Sequence, residues 1–261
     1  MILLSFDIEE FDVPKEHEVN ILMDEQVRIS AEGTNKILDC LQRNQVQATF
    51  FCTANFAQHA PEIIHRILAE GHEVASHGFY HWTFEIDDLK RSKEVLETLT
   101  GTVIRGYRQA RMMPVPEAEI KKAGYEYNSS LNPTFIPGRY MHLSMPRTCF
   151  LKEGVLQIPA SVTPWIRFPL FWLSYHNLPA TLYRWLCART LKHDGYFVTY
   201  FHPWEFYPLA NHPELKMPFI IRNHAGEGME RRLDDFIHYF KAKAVPFVTF
   251  SQFVDSKEKF D

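Results

Sequence analysis

The stretch ILLSFD, residues 2–7, is apolar almost throughout and ends in a carboxylate. A short run of this kind, without regular polar alternation, is typical of a strand that is buried on both faces. Such strands are common in parallel sheets that helices cover on both faces. The stretch therefore predicts a buried parallel strand whose carboxyl end lies at Asp7.

Outward from this strand, short apolar runs alternate with segments of helical spacing. The other predicted strands are 48–52, 73–76, 103–107, 125–127, 196–201 and 245–250, and the predicted helices are 34–42, 61–70, 87–99, 116–123, 178–191 and 229–242. This alternation predicts the α/β class and a distorted (β/α) barrel with six to seven parallel strands. No linker or repeat interrupts the pattern, so residues 1–261 are predicted to form one domain.

The composition is typical of a globular protein with a large core, with 46% hydrophobic and 23% charged residues. The net charge of -4 leaves no basic footprint and argues against a nucleic-acid partner. The four cysteines lack paired spacing, which favours a reduced compartment. The first apolar run reaches Asp7 too soon for a signal peptide, and no apolar run is long enough to span a membrane. We therefore expect a cytoplasmic protein.

Reactive side chains follow several of the predicted strands. Chemistry in barrels of this kind gathers at the carboxyl ends of the strands, where the following loops begin. The residues at those positions are Asp7, Glu9, Glu10, His77, His81, Arg108 and His202. We interpret this face as the candidate active site.

The histidine pair indicates a metal site. His77 and His81 are four residues apart, which places both imidazoles on one side of a helical turn or around a tight loop. Two imidazoles and a carboxylate suit a divalent metal such as zinc and leave positions open for water and substrate. The alternative is a capping histidine and a second one packed on Trp82. The strand-end position favours the metal.

The acids of the first loop supply the remaining groups. Asp7 and Glu9 share one side of an extended chain, and Glu10 points to the other. Metal-assisted hydrolysis needs one carboxylate on the metal and another to take a proton from water. Spacing alone does not assign these roles, and a solvated acidic loop that continues to Asp12 is the alternative.

Five segments occur as ordered motifs along nearly the whole chain, from Ile2 to about Val254. They are SFDIEE (5–10), GHEVASHGFYH (71–81), GYRQA (106–110), YEYNSS (125–130) and YFHPWE (200–205). Together they resemble the motifs of the polysaccharide deacetylases of the NodB-homology type, carbohydrate esterase family four. The resemblance is strongest with the subgroup associated with exopolysaccharide synthesis, whose fifth motif also reads HPWE.

The resemblance implies a NodB-like barrel and a metal-dependent hydrolase that cuts an amide bond. Its substrate would be an N-acetylated sugar in a polysaccharide, a lipid-linked or a nucleotide-linked molecule. One divalent metal ion is implied, zinc first, with cobalt or nickel as alternatives. His77 and His81 would hold the metal together with Glu9, and Glu10 is the rival ligand.

The resemblance also implies the catalytic roles. Asp7 would be the general base, Arg108 would keep it ionised and oriented, and His202 would protonate the departing amine. Two departures from the family pattern bear on these roles. Ala110 replaces a proline and is expected to loosen the loop that holds Arg108.

The second departure is Asn128, which stands where an aspartate is usual. That aspartate would favour the cation of the catalytic histidine. The pKa of His202 is therefore expected to be lower here, unless Glu205 or Asp194 compensates. These changes leave two alternative functions open. One is a sugar-binding or regulatory barrel with weakened catalysis, and the other is an amidase or cyclic-imide hydrolase on the same scaffold.

An aromatic segment, residues 165–186, carries three tryptophans and is interrupted by two prolines, and three arginines lie in or beside it. It could be a buried excursion, a sugar-stacking lid, a dimer face or a surface that contacts a membrane. The arginines favour contact with phosphate or lipid headgroups, so the protein could be peripheral to the membrane. The segment leaves the oligomeric state open.

Overall fold

The computed structural model of the protein describes residues 1–258, so residues 259–261 of the predicted domain lie outside the described part. The strands are β1 (Ile2–Ile8), β2 (Thr49–Cys52), β3 (Glu73–Ser76), β4 (Gly106–Tyr107), β5 (Tyr127–Asn128), β6 (Phe135–Ile136), β7 (Tyr140–Met141), β8 (Phe150–Lys152), β9 (Val155–Gln157), β10 (Phe197–Phe201) and β11 (Phe247–Val248). The α-helices are α1 (Met23–Asn44), α2 (Ala54–His59), α3 (Pro61–Ala69), α4 (Asp88–Thr100), α5 (Glu117–Lys122), α6 (Trp172–Asn177), α7 (Ala180–Asp194), α8 (Phe219–Arg222), α9 (Glu227–Lys241) and α10 (Phe250–Glu258).

The main sheet is parallel over most of its width, as the sequence predicts. Its order is β10-β1-β2-β3-β4-β5-β9-β8, and β11 pairs with β1 beside this path. Among the described residues, only the β8–β9 pair of this sheet is antiparallel. Within residues 1–258 eight strands run parallel, one more than the upper bound of six to seven. The additional strand is β9, which lies in the middle region where the sequence shows no strand pattern.

The sheet curls towards a closed barrel. β1 pairs with β11 through Ile2 and Leu3, and with β2 from Ser5 onwards. Two strands therefore pair with the same edge of β1. Irregular backbone bridges the space between β9 and β10, where Ser161 N–H donates to the Val198 carbonyl at 3.0 Å. The distorted barrel predicted from the sequence is therefore confirmed.

Helix α1 holds two of the strand-end loops in place. It is longer than the predicted helix 34–42 because its polar first half is also partly buried. Ser30 Oγ donates to the carbonyl of Glu9 at 2.6 Å. Three residues later, Gly33 approaches the backbone of Pro203 so closely that a Cβ atom would lie 1.9 Å from its carbonyl oxygen. Helix α1 thus fixes the loop after β1 and the loop after β10.

The chain end differs from the prediction of a strand over 245–250. Only Phe247–Val248 pairs as a strand, and helix α10 begins at Phe250. Thr249 caps this helix, since its Oγ1 accepts from Gln252 N–H at 3.2 Å. The ring of Phe250 packs in the core against Phe51. A short apolar run is compatible with either a strand or the start of a buried helix. Here the cap at Thr249 stabilises the helix.

The aromatic segment 165–186 is divided between core and surface. Phe171, Trp172, Tyr175 and Tyr183 are buried, which confirms the buried-excursion interpretation for these residues. Trp165, Ile166, Leu182 and Trp185 are exposed and are described below. Within residues 1–258, none of the helices is both long and apolar enough for a membrane span.

Candidate active site

A cluster of three buried side chains forms where β1 and β3 end. Oε2 of Glu9 lies 3.3 Å from Nε2 of His77 and 3.0 Å from Nε2 of His81. One donor atom from each residue lies within 4.8 Å of the other two. Two imidazoles and one carboxylate are a donor set that divalent zinc prefers.

The Oε2 atom of Glu9 is the strongest sign that the cluster fits a metal. It is buried, and although both Nε2 atoms lie nearby, none of its contacts within the described residues has hydrogen-bond geometry. A buried carboxylate oxygen without a partner is costly, and a cation between the three ligand atoms would satisfy it. Burial raises the pKa of Glu9, but His81, His202 and His77 outweigh it and lower that pKa to about 2. The carboxylate is therefore ionised at neutral pH.

The far sides of the two imidazoles are also occupied. Nδ1 of His77 donates to the carbonyl of Arg108 at 2.9 Å, and Nδ1 of His81 lies 2.7 Å from Oδ1 of Asp12. These contacts direct both Nε2 atoms into the cluster, as outer partners of metal-binding histidines do. In the sequence, Asp12 fits a solvated acidic loop, so its contact with His81 was not predicted. Trp204 Nε1 completes the shell by donating to Glu9 Oε1 at 3.2 Å.

Glu10 lies outside this cluster. Its carboxylate accepts hydrogen bonds from Thr53 Oγ1 at 3.1 Å and from the side-chain amide of Asn55. Successive side chains of extended backbone point to opposite sides, so Glu9 and Glu10 cannot both face the histidines. The geometry does not support Glu10 as the rival ligand.

Asp7 and Arg108 form a buried ion pair beside the cluster. Arg108 Nη1 donates to Asp7 Oδ1, and also to Ser5 Oγ at 3.0 Å. Its other nitrogens donate to the carbonyl and the hydroxyl of Ser129 at 3.1 and 2.9 Å. The guanidinium also stacks 4.0 Å above the Phe51 ring. These contacts hold Arg108 in the absence of the proline that Ala110 replaces.

His202 follows β10 and is paired with an acid. Its Nδ1 lies 2.9 Å from Oε1 of Glu205, which also accepts from the backbone N–H of His202 at 2.6 Å. Burial lowers the pKa of His202, but Glu9 and Glu205 outweigh it, and that pKa is raised overall. The lower pKa was expected only if no other acid compensates, and here Glu205 lies beside His202. The compensating acid is Glu205, whereas Asp194 pairs with Arg147.

Asn128 takes part in a different set of contacts. It donates to Gln157 Oε1 at 2.9 Å and accepts from the hydroxyl of Ser130. It lines a neighbouring groove together with these two residues. Asn128 is therefore not the group that sets the charge of His202 in this protein.

The catalytic candidates and the metal cluster open into one pocket. Asp7 and His202 line it together with Glu9, His77 and His81. Most of its further lining residues are aromatic or charged, and they were not predicted as site residues: Glu16, Arg111, Arg139, Tyr140, Trp172, Tyr200 and Trp204. Tyr140 belongs to the short β6–β7 hairpin, whose strands of two residues are too brief to be recognised in the sequence.

Comparisons with known proteins point to one family. Residues 12–127 match the family model described as polysaccharide deacetylase. The chain is 46% identical over 138 residues to the chitooligosaccharide deacetylase of Bradyrhizobium sp. (strain ANU 289), covering 51% of this chain and 60% of that protein. It is 42% identical over 72 residues to the peptidoglycan-N-acetylmuramic acid deacetylase PdaA of Bacillus subtilis (strain 168), covering 28% and 27%.

The chain thus spans three fifths or less of the length of these curated relatives. A solved structure, the putative polysaccharide deacetylase of Mycobacterium smegmatis, is similar over 98% of this chain and 88% of its own. The TM-score is 0.67 and the sequence identity is 20%. This similarity shows a shared fold.

Proposed function

We propose that the chain is a metal-dependent N-deacetylase of the polysaccharide deacetylase family, which removes the acetyl group from an N-acetylated sugar. One observation carries the proposal. A single pocket holds a ligand set for a divalent cation, an aspartate fixed by an arginine, and a histidine paired with a glutamate. Amide hydrolysis needs these three parts together, because the carbonyl must be polarised, the water must lose a proton and the leaving nitrogen must gain one.

Glu9, His77 and His81 are the residues that would hold the metal, and we propose zinc, with cobalt or nickel as alternatives. When bound, the ion supplies Lewis acidity and lowers the pKa of water. The buried Oε2 atom of Glu9 supports this assignment, and so does the direction of both Nε2 atoms.

Asp7 is positioned to take the proton from the attacking water. The ion pair with Arg108 keeps its carboxylate oriented, and the four hydrogen bonds of the guanidinium prevent Arg108 from moving away. The water oxygen forms a bond to the carbonyl carbon of the acetamide, and its proton goes to Asp7.

His202 is positioned to protonate the leaving nitrogen. Its Nδ1 is bound to Glu205, so Nε2 is the nitrogen left to face the pocket. The C–N bond breaks as the nitrogen receives this proton, and the products are acetate and a free amino sugar. An amine leaves poorly unless it is protonated, which is why the site needs an acid on this side.

The walls of the pocket suit a sugar ring. Trp172, Tyr140 and Tyr200 provide aromatic surface around the catalytic groups, and Arg139 adds a positive charge. Relatives are named for chitooligosaccharide and peptidoglycan substrates. We propose an N-acetylated amino sugar as the substrate, carried on a polysaccharide, a lipid or a nucleotide.

An acetate-release assay tests the proposal. The protein is incubated with N-acetylglucosamine oligomers, lipid-linked sugars and nucleotide sugars, each with zinc, cobalt or nickel added. Released acetate that disappears in a His77→Ala variant is the expected result, with His65→Ala as the control because this exposed histidine lies outside the pocket. Released ammonia in place of acetate would favour the amidase alternative. Sugar binding without release of acetate or ammonia would favour the alternative of a sugar-binding or regulatory barrel with weakened catalysis.

A further inference from the structure

Four large apolar side chains are exposed, although such residues usually lie in the core. Trp165 is 91% exposed, Ile166 79%, Trp185 51% and Leu182 42%. The ring of Trp165 lies 6.2 Å from the ring of His193 at the end of α7, so the loop and the helix form one continuous surface. We call this the α7 surface and define it by Trp165, Ile166, Leu182, Trp185, Arg189 and Lys192.

The loop presents Trp165 on a fixed backbone. Trp165 and Arg167 both have a positive φ, 71° and 52°, which is strained for residues with a Cβ atom. The loop is nevertheless held firmly, because the carbonyl of Arg167 accepts from Thr134 Oγ1 at 2.7 Å and its guanidinium donates to the Met145 carbonyl at 2.7 Å. The protein therefore maintains an exposed tryptophan at a cost in backbone strain.

The α7 surface also lies in a stretch without negative charge. No Asp or Glu occurs from 154 to 193, although the chain has 32 acids in 261 residues and about five would be expected in such a stretch. The next acid, Asp194, is almost buried and forms a salt bridge with Arg147. Arg189 and Lys192 are exposed, and the Arg189 guanidinium lies 5.0 Å from the Trp185 ring centre.

We propose that the α7 surface docks the protein onto an anionic membrane surface. Tryptophan beside arginine and lysine is the combination that settles at a bilayer interface, where the rings enter the headgroup region and the cations meet lipid phosphates. A second copy of the chain fits less well, because a two-fold interface would bring two copies of this surface together, each with Arg189 and Lys192 and neither with an acid to pair with them. None of the defining residues lines the catalytic pocket, so a role as a sugar-stacking lid is not supported.

Vesicle co-sedimentation tests the inference. The full chain is mixed with vesicles of phosphatidylcholine alone and of phosphatidylcholine with phosphatidylglycerol, at low and high salt. Binding to the anionic vesicles only, weakened by salt, is the expected result. A basic residue near such a surface contributes about fivefold to binding, so Arg189→Glu with Lys192→Glu should lower the partition constant at least about 20-fold. Trp165→Ser with Ile166→Ser should lower it by a similar factor.

Matched controls test whether vesicle binding depends on the α7 surface or on exposed residues in general. Lys90→Glu with Lys122→Glu removes two exposed lysines elsewhere, and Leu151→Ser with Val103→Ser removes two apolar residues that are each 71% exposed. Both controls should bind vesicles like the unchanged protein. Equal loss in the controls, or no binding of the unchanged protein to anionic vesicles, would overturn the inference. A dimer in sedimentation velocity that Trp165→Ser with Ile166→Ser dissociates, without vesicle binding, would assign the surface to a second copy. None of these readouts depends on deacetylase activity.

Discussion

Nδ1 of His202 lies 2.9 Å from Oε1 of Glu205, and the same oxygen accepts the backbone N–H of His202. The other carboxylate oxygen lies 2.8 Å from Nε2 of His176, which is fully buried. Glu205 is thus held between two histidines and cannot turn away from His202. Glu205 lies three residues after His202 in the chain. It supplies to His202 the negative charge that the usual aspartate of the fourth motif would supply.

The first prediction follows from this charge. Activity should fall at alkaline pH as His202 loses its proton, because the proposed acid then has nothing to donate. Glu205→Gln removes an acid that raises the pKa of His202, so the alkaline limb of the pH–rate profile should move to lower pH by about one unit. Asn128→Asp is the matched control and should leave the limb in place. A limb that moves with Asn128 and not with Glu205 would reverse this assignment.

The second prediction separates the two glutamates. Glu9→Gln should lose bound metal, because an amide oxygen is a weaker ligand than a carboxylate. Glu10→Gln should keep it, since Glu10 bonds to Thr53 and Asn55 instead. Metal content of the purified variants, measured by elemental analysis after dialysis, gives the answer, with His77→Ala as the metal-free reference. Loss of metal in the Glu10 variant alone would exchange the two roles.

The third prediction concerns the proposed base. Asp7→Asn preserves the size of the side chain and removes the proton acceptor. Turnover should therefore fall by roughly two or more orders of magnitude while the metal remains bound. Steady-state rates and metal content are measured on the same preparation. A variant that keeps most of its activity but loses metal would show that Asp7 serves the metal rather than the water.

The fourth prediction tests how α1 supports the site. Gly33→Ala places a methyl group against the backbone of Pro203, which cannot move without displacing the neighbouring His202. We expect a loss of unfolding free energy of about 1–3 kcal/mol together with a lower kcat. Urea unfolding and steady-state rates measure the two effects. Gly228→Ala is the control, because its nearest contact would be the Cβ atom of His224 at 3.1 Å. Equal behaviour of the two variants would exclude a special role for Gly33.

Much of the candidate site could be predicted because the sequence pattern locates strand ends. Asp7, His77 and His202 each follow an apolar run, and the carboxyl ends of parallel strands meet at one edge of the sheet. The two-residue period of extended backbone also placed Glu9 and Glu10 on opposite sides. It could not say which side faced the histidines, since that depends on how the loop after β1 is held.

The outer contacts of the site were harder to predict. Asp12 reads as part of an acidic loop, and only the folded chain brings it to His81 across 69 residues. The sequence offered Glu205 and Asp194 equally as acids for His202. Arg147 takes Asp194, and His176 fixes Glu205 beside its partner.

The sequence by itself determined where most of the parallel strands lie along the chain, the residues at their carboxyl ends and the family motifs, because these depend on local periodicity and on which side chains follow a strand. The tertiary structure alone decided which acid faces the metal cluster, which acid pairs with His202, and which aromatic residues of 165–186 remain exposed. Those outcomes depend on distances between segments far apart in the chain. Packing contacts such as that of Gly33 against Pro203 set these distances, and a local pattern carries no measure of them.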